Sequence, residues 1–135
     1  MKKLLLACLV VTVICLWNPI PAAAHHGYAA YDLTKILTLK GTVTDYELMN
    51  PHSMMAFDVK DEHGKVENWI AEAGHIRLMK DEGWTETTLK VGDVVTFSFH
   101  PAKNGSHSVD LVKVEFADGR ILWAHTSHEN IPTDF

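Results

Sequence analysis

Cysteine is scarce in this chain: Cys8 and Cys15 are the only two, and both lie within the first 24 residues. Disulfide bonds and a catalytic thiol are therefore not expected over residues 25–135, even in a compartment that would permit disulfides. Stability there must come from an apolar core, which a single domain of this size can supply.

Basic clusters and enzyme motifs are also absent. Lys and Arg number 12 against 17 Asp and Glu, and no stripe of basic residues is present. This balance argues against a nucleic-acid partner. The chain contains no His-Glu-x-x-His sequence, glycine-rich phosphate loop or Gly-x-Ser-x-Gly sequence, so we do not predict an enzyme.

The first 24 residues have the pattern of a secretory signal peptide. Lys2 and Lys3 are followed by an uncharged run over residues 4–17 and by three alanines at 22–24. This order of basic, apolar and small-residue regions is typical of exported proteins. The alternative is an uncleaved N-terminal anchor, but the run is shorter than the roughly 20 residues that span a bilayer. We predict cleavage after Ala24 and a periplasmic or secreted protein without a stable membrane span.

The rest of the chain is predicted to form one domain over residues 25–124, followed by a tail over 125–135. Apolar side chains alternate along several segments, which is typical of strands with one buried face. The predicted strands cover residues 37–48, 55–59, 66–71, 95–99, 109–116 and 121–123. The only helix is expected between His75 and Glu82, with Gly83 just past its end.

Two strands change the phase of their alternation, the first near Thr44–Asp45 and the fifth between Leu111 and Val112. Such changes indicate bulges or bends, which suit a closed sheet. Three strands, a helix and two strands follow the order of the OB-fold. We therefore predict a mainly β protein, an OB-like, partly open barrel of five to six strands with one short helix. Another small sandwich or meander is the alternative.

Several short motifs occur in a fixed order along the chain: His25-His26-Gly27-Tyr28, Leu39-Lys40-Gly41-Thr42-Val43, Asn50-Pro51-His52, Gly83-Trp84, Thr88-Leu89-Lys90-Val91-Gly92-Asp93 and Asp118-Gly119-Arg120. As a set they resemble an uncharacterised family of small exported proteins of Gram-negative bacteria, a domain of unknown function. The resemblance runs from His25 to about Trp123. It implies export and a small β fold, and it supplies no catalytic residues.

The histidine pair at the predicted mature N-terminus is the sharpest chemical feature. If the mature chain begins at His25, its α-amine and ring nitrogen can chelate one metal ion, and His26 stands beside them. If cleavage falls after Ala23, the mature chain begins Ala24-His25-His26. A histidine at the third position then favours a metal site with planar geometry. Nitrogen donors in such geometry favour copper or nickel over zinc.

His52 is the third candidate metal ligand. It follows the Asn50–Pro51 turn between the first two strands, and in extended chain it would share a face with Met54, an N/S pair suited to Cu(I). The alternative is a ring that hydrogen-bonds to the turn backbone. We expect the other histidines to be structural or exposed, including His125 and His128, whose rings are expected to be solvated.

Two functions of different class follow. The first is a non-enzymatic exported binding module for an unknown protein or small ligand, because OB-type barrels bind ligands on their strands. The ligand itself does not follow from the fold. The second is a copper-handling protein that uses His25, His26 and His52.

Overall fold

A computed structural model describes residues 28–125, so the predicted signal peptide, His25, His26 and His128 lie outside the described residues. Six strands and one helix follow a short 3-10 turn at Tyr28–Ala30. The strands are β1 Leu37–Glu47, β2 Met54–Lys60, β3 Val66–Glu72, β4 Val94–His100, β5 Ser108–Glu115 and β6 Ile121–Trp123, and helix α1 is Ile76–Asp81.

The strands close into a barrel. β1 pairs antiparallel with β2 and β4, β2 with β3, and β4 with β5. A short parallel pairing of β3 with β5 completes the circle, and β6 extends the sheet beyond β5. Five closed strands with a helix between the third and fourth confirm the predicted OB-like architecture.

The alternating residues predicted to face inward form the core. Val95, Phe97 and Phe99 on β4 are almost fully buried. The ring of Phe97 stacks on Phe57 of β2 with a 4.2 Å centroid separation, and Trp84, which follows the helix, is buried with them. Large aromatic rings of this kind contribute most of the apolar area that stabilises a small core.

Both predicted changes of strand phase are present as irregularities in the sheet. The register of β1 against β2 shifts between Val43 and Asp45. On β5, Leu111 pairs with Phe99 and Lys113 with Ser98, which leaves Val112 as the extra residue. A bulge bends its strand, so these two positions supply curvature that lets the barrel close.

Helix α1 begins and ends where the sequence predicts. His75 caps its first turn, because the ring Nδ1 accepts a hydrogen bond from the Leu78 amide at 3.3 Å. Gly83 lies just past its end with φ +92°, a conformation that favours glycine. Within residues 28–125, no helix is long and apolar enough to cross a membrane.

Candidate functional site

The seam where β3 meets β5 brings two carboxylates together. The parallel register places Glu72 opposite Asp110, so both side chains emerge on the same, outer face of the sheet. They line a cleft of about 190 Å³, here called the seam cleft. Its polar side chains are Tyr28, Tyr31, His52, Glu72, His75, Asp110 and His125.

His52 is held beside Glu72 by the backbone that precedes β2. The Ser53 amide donates to the Gly74 carbonyl at 3.0 Å, and the Ser53 carbonyl accepts from the Ala73 amide at 2.8 Å. These bonds extend the pairing of β2 with β3 beyond the strand ends. Side chains alternate along an extended chain, so His52 shares the outer face with Glu72.

The His52 ring pairs with the Glu72 carboxylate. Nδ1 lies 2.5 Å from Oε1 of Glu72, and the Tyr31 hydroxyl donates to Oε2 at 3.0 Å. The sequence-based alternative, a ring bonded to the turn backbone, is therefore wrong, because the register of β2 and β3 brings a carboxylate within reach. A neutral imidazole that donates from Nδ1 keeps a lone pair on Nε2. Within residues 28–125 no hydrogen bond engages that nitrogen, and the His52 side chain is 49% exposed.

His125 lies on the opposite wall and has both ring nitrogens engaged. Its Nε2 is 3.1 Å from Oδ1 of Asp110, and its Nδ1 is 3.4 Å from the Tyr28 hydroxyl. The expectation of a solvated His125 ring is wrong, since its side chain is only 22% exposed. The Ala124 amide donates a hydrogen bond to the Val112 carbonyl, which holds the chain after β6 against the barrel and keeps the His125 ring in the cleft.

Asp110 is the most buried charged residue of the cleft, with 5% exposure. One carboxylate oxygen contacts His125, while Oδ2 is buried and has no hydrogen-bond partner within residues 28–125. Buried carboxylate oxygens are normally satisfied, because an unsatisfied one costs free energy. The seam therefore holds a strong acceptor that the barrel itself does not use.

The two tyrosines of the cleft remain neutral over a wide pH range. Burial, together with the hydrogen bond to Glu72, raises the pKa of Tyr31 to about 12. Burial and the charges of Asp110 and Glu72 also raise the pKa of Tyr28. Tyr31 therefore stays a donor to Glu72, which leaves that carboxylate bonded on both oxygens.

The third histidine of the cleft, His75, is committed to the helix cap. Its Nδ1 accepts from the Leu78 amide, so in the neutral ring the proton sits on Nε2. Of the three cleft histidines in the described part of the chain, only His52 thus presents an open lone pair. No group of three His, Cys, Asp or Glu side chains within residues 28–125 is arranged to hold a metal ion by itself.

Of the three predicted metal ligands, only His52 lies within residues 28–125. His25 and His26 lie outside the described residues, but Tyr28, two positions after His26, lines the same cleft as His52. Met54 is not among the residues that line the cleft, so the N/S pair with His52 is not formed there.

Sequence reasoning did not assign Glu72 or Asp110 to a site. Asp110 stands between Val109 and Leu111 in a buried strand, and Glu72 ends β3. An acidic residue inside an apolar strand is the signal that could have pointed to the seam.

Comparison with known proteins identifies the family of this chain. A family profile matches residues 12–110, which is most of the chain. The chain belongs to DUF6152, a family of unknown function. This confirms the resemblance to an uncharacterised family, and the DUF6152 match includes His25, His26, His52 and Glu72 and ends at Asp110. A search of curated proteins finds no match.

Proposed function

We propose that this DUF6152 protein is an exported, non-enzymatic binding module and that the seam cleft is its ligand site. The observation that carries the proposal is the open Nε2 of His52, fixed by Glu72 at the mouth of a cleft that also contains the buried Asp110 carboxylate. Ligand sites typically combine a concave apolar surface with a few fixed polar groups, and the seam cleft has this composition.

The size and charge of the cleft define the class of ligand. A cleft of about 190 Å³ is smaller than the roughly 300–1,000 Å³ of typical drug-sized ligand sites, so it suits a small ligand. The carboxylates of Glu72 and Asp110 favour a ligand that carries positive charge or hydrogen-bond donors. A small cation or a small polar donor fits both requirements.

Native mass spectrometry and elemental analysis of protein purified after native export test this proposal. We expect a small bound species in the wild type and its loss in His52→Ala. The matched control is His63→Ala, because His63 lies in the exposed turn between β2 and β3. A species that survives equally in His52→Ala and His63→Ala would place the ligand elsewhere.

Copper handling is the second candidate, with His25, His26 and His52 as ligands. Its support is the position of Tyr28 in the same cleft as His52. An extended chain covers at most about 3.3–3.6 Å per residue, so the chain length permits nitrogen donors two and three positions before Tyr28 to reach the cleft. His52 would add one imidazole to the amine and imidazoles of the mature N-terminus, a set of nitrogen donors that suits copper.

Titration of natively exported, metal-free protein with Cu(II) tests the copper candidate. We expect weaker binding both in His52→Ala and in a variant with one extra residue ahead of His25. An intact-mass measurement must first show that the wild type begins at His25. Copper affinity that is indifferent to both changes would exclude this ligand set.

A further inference from the structure

We propose that the seam cleft binds the ammonium group of a small primary amine, and that Asp110 and His52 accept its hydrogen bonds. The inference rests on the proposed function as a binding module and adds the chemical class of the ligand. It is carried by the buried, unpartnered oxygen of Asp110 and by the kinds of free acceptor in the described part of the cleft.

The seam cleft carries negative charge that no lysine or arginine offsets. Glu72 and Asp110 occupy paired positions on neighbouring strands, and such strands lie about 4.7–4.9 Å apart. Among the described residues that line the cleft there is no lysine and no arginine. Asp110 is only 5% exposed, so solvent and salt screen its charge weakly. The cleft therefore favours a positively charged ligand over a neutral one.

The free hydrogen-bonding groups of the cleft are acceptors. Oδ2 of Asp110 is buried and has no hydrogen-bond partner within residues 28–125. Nε2 of His52 keeps its lone pair, because Nδ1 donates to Glu72. An alkylammonium group has three N–H donors and no acceptor, so its hydrogen-bonding capacity matches both groups.

A ligand can contact Oδ2 of Asp110 only if a neighbouring side chain moves, since this oxygen is buried. Tyr28 is the side chain best placed to move. It is 56% exposed, and its hydroxyl lies 3.4 Å from His125, the residue that pairs with the other Asp110 oxygen. That contact is long for a hydrogen bond and therefore weak. We expect the Tyr28 ring to shift when an amine enters.

The contacts of the two carboxylates distinguish an ammonium group from other cations. A guanidinium group prefers both oxygens of one carboxylate, but both oxygens of Glu72 are bonded and one oxygen of Asp110 contacts His125. A metal ion needs several ligands, and within residues 28–125 no three His, Cys, Asp or Glu side chains are arranged to supply them. An ammonium group is compact and has rotatable donors, so it can use single acceptors.

The remaining surface of the cleft suits a short alkyl chain. Pro51, Ala73 and Leu78 also line it, and their side chains are apolar. The aromatic rings of Tyr28 and Tyr31 add faces that attract a cation. The volume of about 190 Å³ limits the length of the chain. The ligand class is therefore a small primary alkylammonium ion.

Chemical-shift titration of ¹⁵N-labelled protein, expressed from the full chain, tests this ligand class. The probes are propylammonium, 1-propanol, which has a similar size but no charge, and tetramethylammonium, which is charged but has no N–H donor. We expect propylammonium to bind about 10–100-fold more tightly than either, because it alone makes charged hydrogen bonds. The amides of His52, Ala73 and Gly74 should shift. Equal binding of 1-propanol or of tetramethylammonium would overturn the inference.

Variants test the two assigned acceptors. Asp110→Asn keeps the shape and removes the charge, and it should weaken propylammonium binding by about 10–100-fold. His52→Ala should weaken it as well. Glu62→Gln removes the same charge from the exposed turn between β2 and β3 and should leave the affinity unchanged. Wild-type affinity in Asp110→Asn or His52→Ala would overturn the role of that residue. If Asp110→Asn fails to fold, the selectivity of the wild type among the three probes decides.

The ligand class and the binding-module function fail in different ways. If natively exported protein carries a small species that His52→Ala loses, but propylammonium does not bind, only the ligand class is wrong. If the protein carries no such species and binds no propylammonium, the binding-module function falls as well.

Discussion

The interior of the barrel is filled with apolar side chains, whereas most of the side chains that line the seam cleft are polar or charged. Inside, Phe57, Phe97 and Phe99 stack against one another and are inaccessible to solvent. At the seam, on the outer face of the same sheet, the polar side chains are carboxylates, imidazoles and phenols joined by hydrogen bonds. The interior therefore accounts for folding, whereas the seam has a polar composition that folding alone does not require.

The two regions also differ in the free energy of burying their side chains. Burial of apolar rings is favourable in itself, at roughly 25 cal/mol per Å². Burial of a charged group such as Asp110 is unfavourable unless partners compensate for the lost hydration. One oxygen of Asp110 is paired and the other has no partner within residues 28–125. Residues that cost stability at a cleft are candidates for function, so we place the ligand site at the seam and not in the core.

The largest effect on stability should come from the interior. Phe97→Ala removes a fully buried ring and should lower the free energy of unfolding by roughly 3–5 kcal/mol. Urea unfolding followed by circular dichroism measures this change. Val91→Ala, at a position with 75% exposure, is the control and should stay within about 0.5 kcal/mol of wild type. Equal effects at both positions would contradict the assigned core.

A smaller but definite effect should follow from breaking the buried pair at the seam. His125→Ala leaves the Asp110 carboxylate without its imidazole partner, which should cost about 1–3 kcal/mol. The same urea experiment on His63→Ala, where the ring is exposed, should show almost no change. A stability of His125→Ala equal to that of the control would mean that the chain after β6 is not anchored at the seam.

The seam should also respond to alkaline pH. The folded-state pKa of Tyr31 is raised to about 12, above its ordinary value of 10.0. The folded protein therefore holds the phenolic proton more tightly than the unfolded chain, and the associated stability is present below pH 10 and is lost as pH rises through 12. Absorbance titration of wild type against Tyr31→Phe should isolate one phenol that ionises near pH 12. A phenol that ionises near pH 10 would show that Tyr31 does not donate to Glu72.

The smallest effect on stability should come from His52. Its pairing with Glu72 is partly exposed, and such pairs contribute about 0–1 kcal/mol. His52→Ala should therefore unfold in urea almost like wild type while it loses the ligand of the cleft. A loss of several kcal/mol would make His52 a structural residue and would remove the contrast between seam and interior.

Most of the fold could be predicted from local patterns. Alternation along β4, the change of phase at Val43–Asp45 and the glycine after α1 are properties of neighbouring residues, so the sequence contains them directly.

The candidate site could be predicted only in part, because it depends on pairings between distant segments. His52 was identified from its turn, but its partner Glu72 follows from the register of β2 against β3. The approach of Glu72 to Asp110 depends on a parallel pairing that closes the barrel, and no local pattern specifies it. His125 was misjudged for the same reason, since its burial depends on a bond from Ala124 to Val112.

Paramagnetic broadening by Cu(II) tests most directly whether the seam cleft is the binding site. Amide spectra of ¹⁵N-labelled protein, expressed from the full chain, are recorded before and after a substoichiometric addition of Cu(II). We expect the signals of Tyr28, His52, Ala73 and Gly74 to broaden first, while Gly119 in the turn at the far end of β5 keeps its intensity. Broadening centred on the exposed turn at His63, or spread evenly over the barrel, would contradict a binding site at the seam.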